Sequence, residues 1–401
     1  MIVHDVSEEL IRTSYLKQLE EFKDRPDLVK IITGVRRSGK STIMSQFSHD
    51  LKRSGENVVS VNLEEKRFSI TTSRELNSYI NELMKTPNDF VLLDEIHFIK
   101  GWEDVVNNLR SNGANVYVTG SNAKILSSDF STIIAGRYVE IHVLPFSFSE
   151  FLQRYPPKGD MRTEQRFDQY LKQGGMPIID LDDSQRKNRS IMEGVYDSIV
   201  NRDVVTRSRI DSATVRRMTD FMYSNVGNIT TLNSLASGSG ISDNRTVDRY
   251  LEALTDSFVF YKVSTYDLIG KKIMKVNAKY YASDIGLRNT ALGHIDDGAS
   301  GILKNIVFLE LIRRGYDVVI GSYRDYEIDF TARIDGRTEY YQVAKTLSRE
   351  STVSREERPL RLLRGEDVKI ILTLDRDLPK EKDGIRYVNI IDFLLDEDQS
   401  N

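Results

Sequence analysis

Cysteine is absent from the 401 residues, which removes both a disulfide framework and thiolate metal sites. No apolar run comes near the ~20 residues that a membrane-spanning helix requires, so no membrane contact is expected. The opening stretch, MIVHDVSEEL, has neither the basic end nor the apolar core of a secretory signal. Positive charge is not in excess: 56 Lys and Arg stand against 60 Asp and Glu, a net charge of −4. Any nucleic-acid contact must then come from a local patch and not from the field of the whole chain. Internal repeats and low-complexity tracts are also missing. What is present, 39% hydrophobic and 29% charged residues, describes a soluble globular chain. Its length suggests roughly two to four domains, and the expected compartment is the cytoplasm.

The stretch LVKIITGVRRSGKSTIMSQF, residues 28–47, carries the clearest chemistry. A β-branched run ending at Thr33 meets Gly34, then four residues, then Gly39-Lys40-Ser41 and a helical pattern. This is GxxxxGK[ST] in the strand–loop–helix setting that gives the motif its meaning. The expected phosphate cradle is Gly34, Val35, Arg36, Arg37, Ser38 and Gly39, continued by Lys40, Ser41 and Thr42. Its backbone N–H groups curl around phosphate oxygens, and the helix N-terminus adds its positive dipole end. Lys40 is expected on the β- and γ-phosphates, and the Ser41 hydroxyl on Mg²⁺.

Downstream, DFVLLDEIHFIKGWEDVVNNLR (89–110) places Asp94-Glu95 at the end of a short apolar run typical of a buried parallel strand. Such an Asp orients Mg²⁺, and a following Glu polarises the attacking water, which favours hydrolysis over transfer to an acceptor. His97 reads as a loop histidine and Trp102 as a packing anchor. A third strand, ANVYVTGSNAKIL (114–126), ends in a turn where Ser121 and Asn122 either sense a γ-phosphate or cap the next helix. Arg137, in IIAGRYVEIHVLPFSFSEFL (133–152), is either an arginine finger offered to a neighbour or a surface residue.

The order of GVRRSGKST, LLDEIHFIKGWEDVVNNLR, VYVTGSNAKIL and AGRYVEIHVLPFSFSEF resembles one group of prokaryotic ATPases of the AAA superfamily. Members of that group carry a winged helix and an uncharacterised C-terminal domain of restriction-nuclease-like fold. The resemblance spans almost the whole chain and is strongest over residues 28–152. It implies ATP and Mg²⁺ as the ligands and ATP hydrolysis as the reaction, with Lys40, Ser41, Asp94 and Glu95 matching the family motifs. The expected fold class is α/β: an AAA-type parallel sheet over 1–156, a helical lid over 157–210, a winged helix over 211–282, and a nuclease-like domain over 283–401.

The later segments fit that plan. Gly174-Gly175 stops a helix over 164–173, and Pro156-Pro157 marks a boundary. Five arginines, Arg202, Arg207, Arg209, Arg216 and Arg217, do not share one helical face, so a solvated or inter-domain role is the default beside phosphate contact. Residues 229–267 read as helix–turn–helix plus strand, with Asn244, Arg245 and Arg249 on the recognition helix and Lys271 and Lys272 in a wing. Duplex DNA is therefore a candidate partner, and a protein partner is the alternative. Asp335-Gly336 marks a hairpin turn. In the nuclease-like part Asp329 fits the strand-end acid and Glu310 the helix acid. Gln342 and Ala344 stand where a carboxylate and a lysine belong, and Lys345 points to the opposite face. The leading expectation is nucleotide-driven or nucleotide-gated movement of this module without DNA cleavage. The alternatives are an ATP-regulated nuclease and a nucleotide-gated docking switch.

Overall fold

The computed structural model describes residues 9–65, 68, 70–126, 132–206, 210–293 and 300–396. Arg207 and Arg209 of the arginine group lie outside the described residues. The chain divides into two compact units: residues 1–145 with 256–258, and residues 146–255 with 259–401.

The first unit begins with α1 (Thr13–Glu21), β1 (Val29–Thr33) and α2 (Lys40–Arg53), followed by β2 (Val58–Asn62) and α3 (Ser73–Leu83). Next come β3 (Phe90–Asp94), α4 (Trp102–Ser111), β4 (Asn115–Gly120) and β5 (Tyr138–His142). All five strands are parallel, in the order β2-β3-β4-β1-β5. Every residue of β1, β3 and β4 is buried, as continuous Val/Ile/Leu runs require when helices cover both faces. Strand alternation splits the apolar residues between two layers. Ile31, Val91 and Leu93 join Trp102, Val106 and Leu109 of α4, with Leu76 and Ile80 of α3. Ile32, Phe90 and Leu92 join Ile43, Phe47 and Leu51 of α2. Trp102 is a core anchor, as its sequence setting suggests. Because the strands run one way, the C-terminal ends of β3, β4 and β1 are neighbours along one edge.

The second unit opens with helices α5 (Phe148–Arg154), α6 (Thr163–Gln173), α7 (Gln185–Ser198), α8 (Ser212–Ser224), α9 (Leu232–Ser239) and α10 (Asn244–Asp256). The last residue of α10 groups with the first unit. Asp243 starts α10 by accepting from Thr246 N at 2.9 Å, a side-chain cap for an orphan donor. The short strand β6 (Ile229–Thr230) pairs with β8 (Lys272–Ala282), which forms a hairpin with β7 (Phe260–Asp267). The basic stretch 270–276 carries the Lys271 and Lys272 assigned to the wing. Most of it is strand, because the turn is tight: Asp267 Oδ1 accepts from Ile269 N and Gly270 N, and Lys271 takes φ +50°.

The rest comprises α11 (Ile285–Leu292), α12 (Ser300–Arg313), β9 (Asp317–Tyr323), β10 (Tyr326–Ile334), β11 (Arg337–Ala344), α13 (Glu350–Leu362), β12 (Val368–Thr373), β13 (Glu381–Lys382), β14 (Ile385–Asn389) and α14 (Ile390–Leu395). Asp335 and Gly336 both take positive φ in the two-residue turn joining β10 to β11. One sheet, ordered β13-β14-β12-β11-β10-β9-β7-β8-β6, runs through the whole unit. Strand β7 pairs with β9 in parallel, Thr265 opposite Ile320. Asn305 on α12 also clasps Ala282, taking its N–H at 2.6 Å and donating to its carbonyl at 2.9 Å. The expected boundary at 282/283 therefore falls inside a continuous sheet.

Candidate functional site

Gly34 leaves β1 with φ +140°, and a Cβ there would stand 2.2 Å from the Val143 carbonyl oxygen. Only glycine fits such an approach. Arg37 and Gly39 also take positive φ, the backbone conformation from which anion-binding N–H concavities are built. Helix α2 starts at Lys40 behind Gly39, which supplies no side-chain cap, so the first-turn N–H groups are offered to an anion. Lys40 is buried, with Nζ 2.9 Å from Gly34 O and 3.0 Å from Val35 O. Arg36, also buried, reaches Glu64 Oε1 at 3.4 Å, while Arg37 is exposed. Ser41 is exposed and Thr42 half-buried at the helix start; Ser38 Oγ is buried without a hydrogen-bond partner.

The acidic pair sits two strands away. Asp94 ends β3, and Thr119 Oγ1 on β4 donates to its Oδ1 at 2.5 Å. The same hydroxyl accepts from Glu95 N at 2.8 Å. Thr119 thus ties both acids to the strand between them and β1. Glu95 takes φ 53°, ψ 48°, a left-handed conformation costing a non-glycine residue about 1–2 kcal/mol. Its Oε2 lies 3.1 Å from His97 Nδ1. At the tail of β4, Ser121 Oγ is buried without a hydrogen-bond partner. Asn122 Oδ1 accepts from Lys124 N at 2.8 Å, and its Nδ2 donates to Ser257 Oγ at 3.3 Å.

The arrangement fits a nucleotide polyphosphate: an uncapped helix start, a buried ammonium, and buried hydroxyls whose lone pairs and protons have no other use. It also suits Mg²⁺. Among the described residues no three His, Asp or Glu side chains gather to hold a metal, but this ion is commonly held by one or two protein oxygens plus substrate phosphates.

Arg137 does not join this group. It precedes β5, and its carbonyl accepts from Val29 N at the start of β1. That is the edge opposite the loop, about 13 Å away along a five-residue strand. A catalytic role on its own chain's nucleotide is thereby excluded. The sequence reading also missed Arg12, which is buried and donates from Nη1 to Ser38 O at 3.0 Å while stacking over Tyr15. Its 26-residue separation from Ser38 leaves no local signal. Thr119 and His97, by contrast, were visible beside the motifs.

The second acidic centre is closed by cations. Lys304 Nζ lies 2.5 Å from Asp329 Oδ1, and Lys279, itself buried, pairs with Glu327 and lies 3.9 Å from Asp329. Burial opposes the charge of Lys304, yet the carboxylates of Asp329, Glu327 and Glu356 together outweigh it and raise the ammonium above its ordinary range. Glu310 faces away from this centre, bound to Arg314 at 2.8 Å and Arg313 at 3.4 Å. Gln342 Oε1 accepts from Asp329 N at 2.9 Å, Ala344 packs in an apolar cluster, and Lys345 is exposed. The pairing of Asp329 with Glu310 expected for cleavage is not formed.

Comparison with known proteins fits the first site. Residues 26–152 match a family model described as an AAA domain, and residues 164–297 match a domain of unknown function, DUF8612. An uncharacterized protein of Haemophilus influenzae is 37% identical over 397 residues, covering 96% of this chain and 98% of its own. An uncharacterized protein of Methanocaldococcus jannaschii is 29% identical over 328 residues, 77% of this chain and 73% of its own. Among solved structures, a replication initiator DnaA bound to AMPPCP and single-stranded DNA aligns with 64% of this chain and 92% of its own, at 13% identity. Its TM-score is 0.35, too low to carry an argument. No helix among the described residues is long and apolar enough to cross a membrane. The chain belongs to the same family as the Haemophilus influenzae protein, and its first part is an AAA domain of the P-loop class.

Proposed function

We propose that the chain binds and hydrolyses ATP with Mg²⁺, and that nucleotide state repositions a winged helix over 211–282 and the scaffold over 283–401 on duplex DNA. The observation that carries the hydrolytic half is the meeting of three features at one sheet edge: an uncapped P-loop helix, Lys40, and the Asp94–Glu95 pair tied through Thr119. The loop N–H groups and Lys40 bind the phosphates, and Ser41 and Asp94 would hold Mg²⁺, which would supply positive charge to offset that of the polyphosphate. Glu95 takes the proton of the attacking water. Ser121 and Asn122, just past the end of the strand between loop and acids, sense the γ-phosphate. Arg137 can act only on a neighbouring subunit's nucleotide.

The DNA half rests on α10, which exposes Asn244, Arg245 and Arg249, and on exposed Lys271 and Lys272 at the hairpin turn. The cation-filled centre at Asp329 favours this scaffold reading over DNA cleavage. The test is steady-state ATP hydrolysis with Mg²⁺, with and without duplex DNA, for the wild type, Lys40→Ala and Glu95→Gln. Lys40→Ala should lose nucleotide binding. Glu95→Gln should keep binding and lose about 10²–10⁴ in turnover. Undiminished turnover in Glu95→Gln would overturn the mechanism. Turnover indifferent to DNA would remove the DNA half and leave a switch read by a protein partner.

A further inference from the structure

The chain contains five histidines, and one stands against the proposed base. After Glu95 the chain folds into a single tight turn over Ile96–Phe98, closed by Phe98 N donating to Glu95 O at 3.2 Å. That turn, made possible by the left-handed φ of Glu95, swings His97 back until its Nδ1 is 3.1 Å from Glu95 Oε2. Glu95 is 7% exposed, so packed protein groups and not bulk water set its side-chain direction. Its backbone N–H is already fixed from the opposite side by Thr119. The strain at Glu95 thus has a visible product, the approach of the His97 ring to the carboxylate.

We propose that His97 is a positioning residue for ATP hydrolysis: its Nδ1–H holds the Glu95 carboxylate in the rotamer that faces the attacking water. This rests on the hydrolytic reading above. A base needs a third group to orient it, and a displacement of about 1 Å at a reacting group can cost ~10²-fold in rate. The ring is suited to the task because a neutral imidazole offers one donor, which a carboxylate at Nδ1 fixes as the Nδ1–H tautomer. The pair now lies at ion-pair distance without the alignment of a hydrogen bond; such contacts commonly tighten once the reacting groups are bound. His97 itself touches neither phosphate nor water and exchanges no proton with them.

Two measurements on the full-length protein test this. Turnover is compared for the wild type, His97→Ala and His97→Asn, whose amide nitrogen occupies the place of Nδ1. The expected result is a kcat lower by about 10- to 100-fold in His97→Ala, an ATP KM within about twofold, and recovery of most of the loss in His97→Asn. Unchanged or increased kcat in His97→Ala, or an Asn variant no better than Ala, would overturn the proposal. Separately, ¹⁵N shifts of the His97 ring, assigned by its loss in His97→Asn, report the tautomer at about pH 8.5, where an ordinary imidazole is neutral. The Nδ1–H form in the wild type and its loss in Glu95→Ala, which removes the acceptor, are expected; an Nε2–H ring in both removes the contact. Wild-type protein that shows the Nδ1–H form yet turns over no faster than Lys40→Ala would overturn the hydrolytic reading, and the role of His97 with it, while leaving the contact standing.

Discussion

At the scale of single residues, Thr119 does two jobs with one oxygen. Its hydroxyl donates to Asp94 and accepts from the Glu95 backbone, both in buried surroundings. Thr119→Val keeps the shape but leaves an orphan acceptor and an orphan donor, each costing about 1–3 kcal/mol. We expect the variant to lose about 2–5 kcal/mol in urea unfolding and to hydrolyse ATP at least about tenfold more slowly, since both acids are released together. A variant as stable and active as the wild type would show that Thr119 does not hold the pair. Gly34 has less room: Gly34→Ala would drive a methyl into the Val143 carbonyl, so it should lose nucleotide binding along with stability. These residues were legible in the sequence because the phosphate loop and the strand-end acids are local patterns with fixed spacing. Arg12 and the Glu95–His97 contact were not, because one depends on a helix returning to the loop and the other on a left-handed turn.

At the scale of elements, the glycines near residue 174 mean more than a helix stop. Gly174 does end α6 with φ +76°, as its sequence suggests. A Cβ on Gly175 would also lie 2.3 Å from Phe146 O, and one on Gly286 2.0 Å from Gln173 O. The end of α6 and the start of α11 are pressed together, and Asp284 fills the junction, accepting from Gly175 N at 2.6 Å and Leu287 N at 2.9 Å. Sequence spacing could not reveal this, since the partners are 109 residues apart. Burial pushes the Asp284 carboxyl up to about 6 against the lowering effect of those N–H groups. An acid raised in the folded state contributes stability that is complete below its unfolded value near 3.8 and is lost as pH rises through about 6. The loss over that window should approach 3 kcal/mol, about 1.4 kcal/mol for each of roughly two pH units. Asp284→Asn should remove this component, so the difference between wild-type and variant unfolding free energies should change between pH 4 and pH 7. A difference independent of pH would show that Asp284 is ionised throughout. A second junction joins α12 to β10 through Lys304 and Asp329. Lys304→Met removes the nearer of two ammonium groups from a buried carboxylate, leaving Lys279 at 3.9 Å, and should cost about 1.5–3 kcal/mol, most of it recovered in the double variant Lys304→Met/Asp329→Asn. Additive losses in the double variant would show that the two do not act as a pair. The sequence showed what the centre lacks, at Gln342 and Ala344, but not what fills it. Lys304 lies on the helix expected to bring Glu310, and only the helix rotation decides which of them faces the strand.

At the scale of the whole molecule, the chain is two bodies with different thermodynamics. The first has its own parallel sheet and both of its apolar layers, and it holds every residue of the proposed nucleotide site. The second is crossed by one sheet from β6 to β13, so the hairpin of β7 and β8 shares hydrogen bonds with the C-terminal strands. Fold class was legible here because strand–helix alternation in the first part and hairpin signals in the second are periodic patterns. The joining of β7 to β9 was not, since pairing partners across 282/283 leave no periodic trace. This architecture makes a calorimetric prediction. Heating should give two transitions, and a non-hydrolysable ATP analogue with Mg²⁺ at about 100 times its Kd should stabilise only the first unit, by about 2.7 kcal/mol. For a body of about 150 residues that is a rise of roughly 5–11 °C. Truncation after Gly315 removes β9 and leaves an unpaired edge on β7, so the second transition should disappear entirely and not merely shrink to that of a smaller domain. The first transition, and its response to nucleotide, should survive. If the truncated chain still shows two transitions, the hairpin folds without its C-terminal neighbours, and the unbroken sheet is a matter of packing rather than of shared stability.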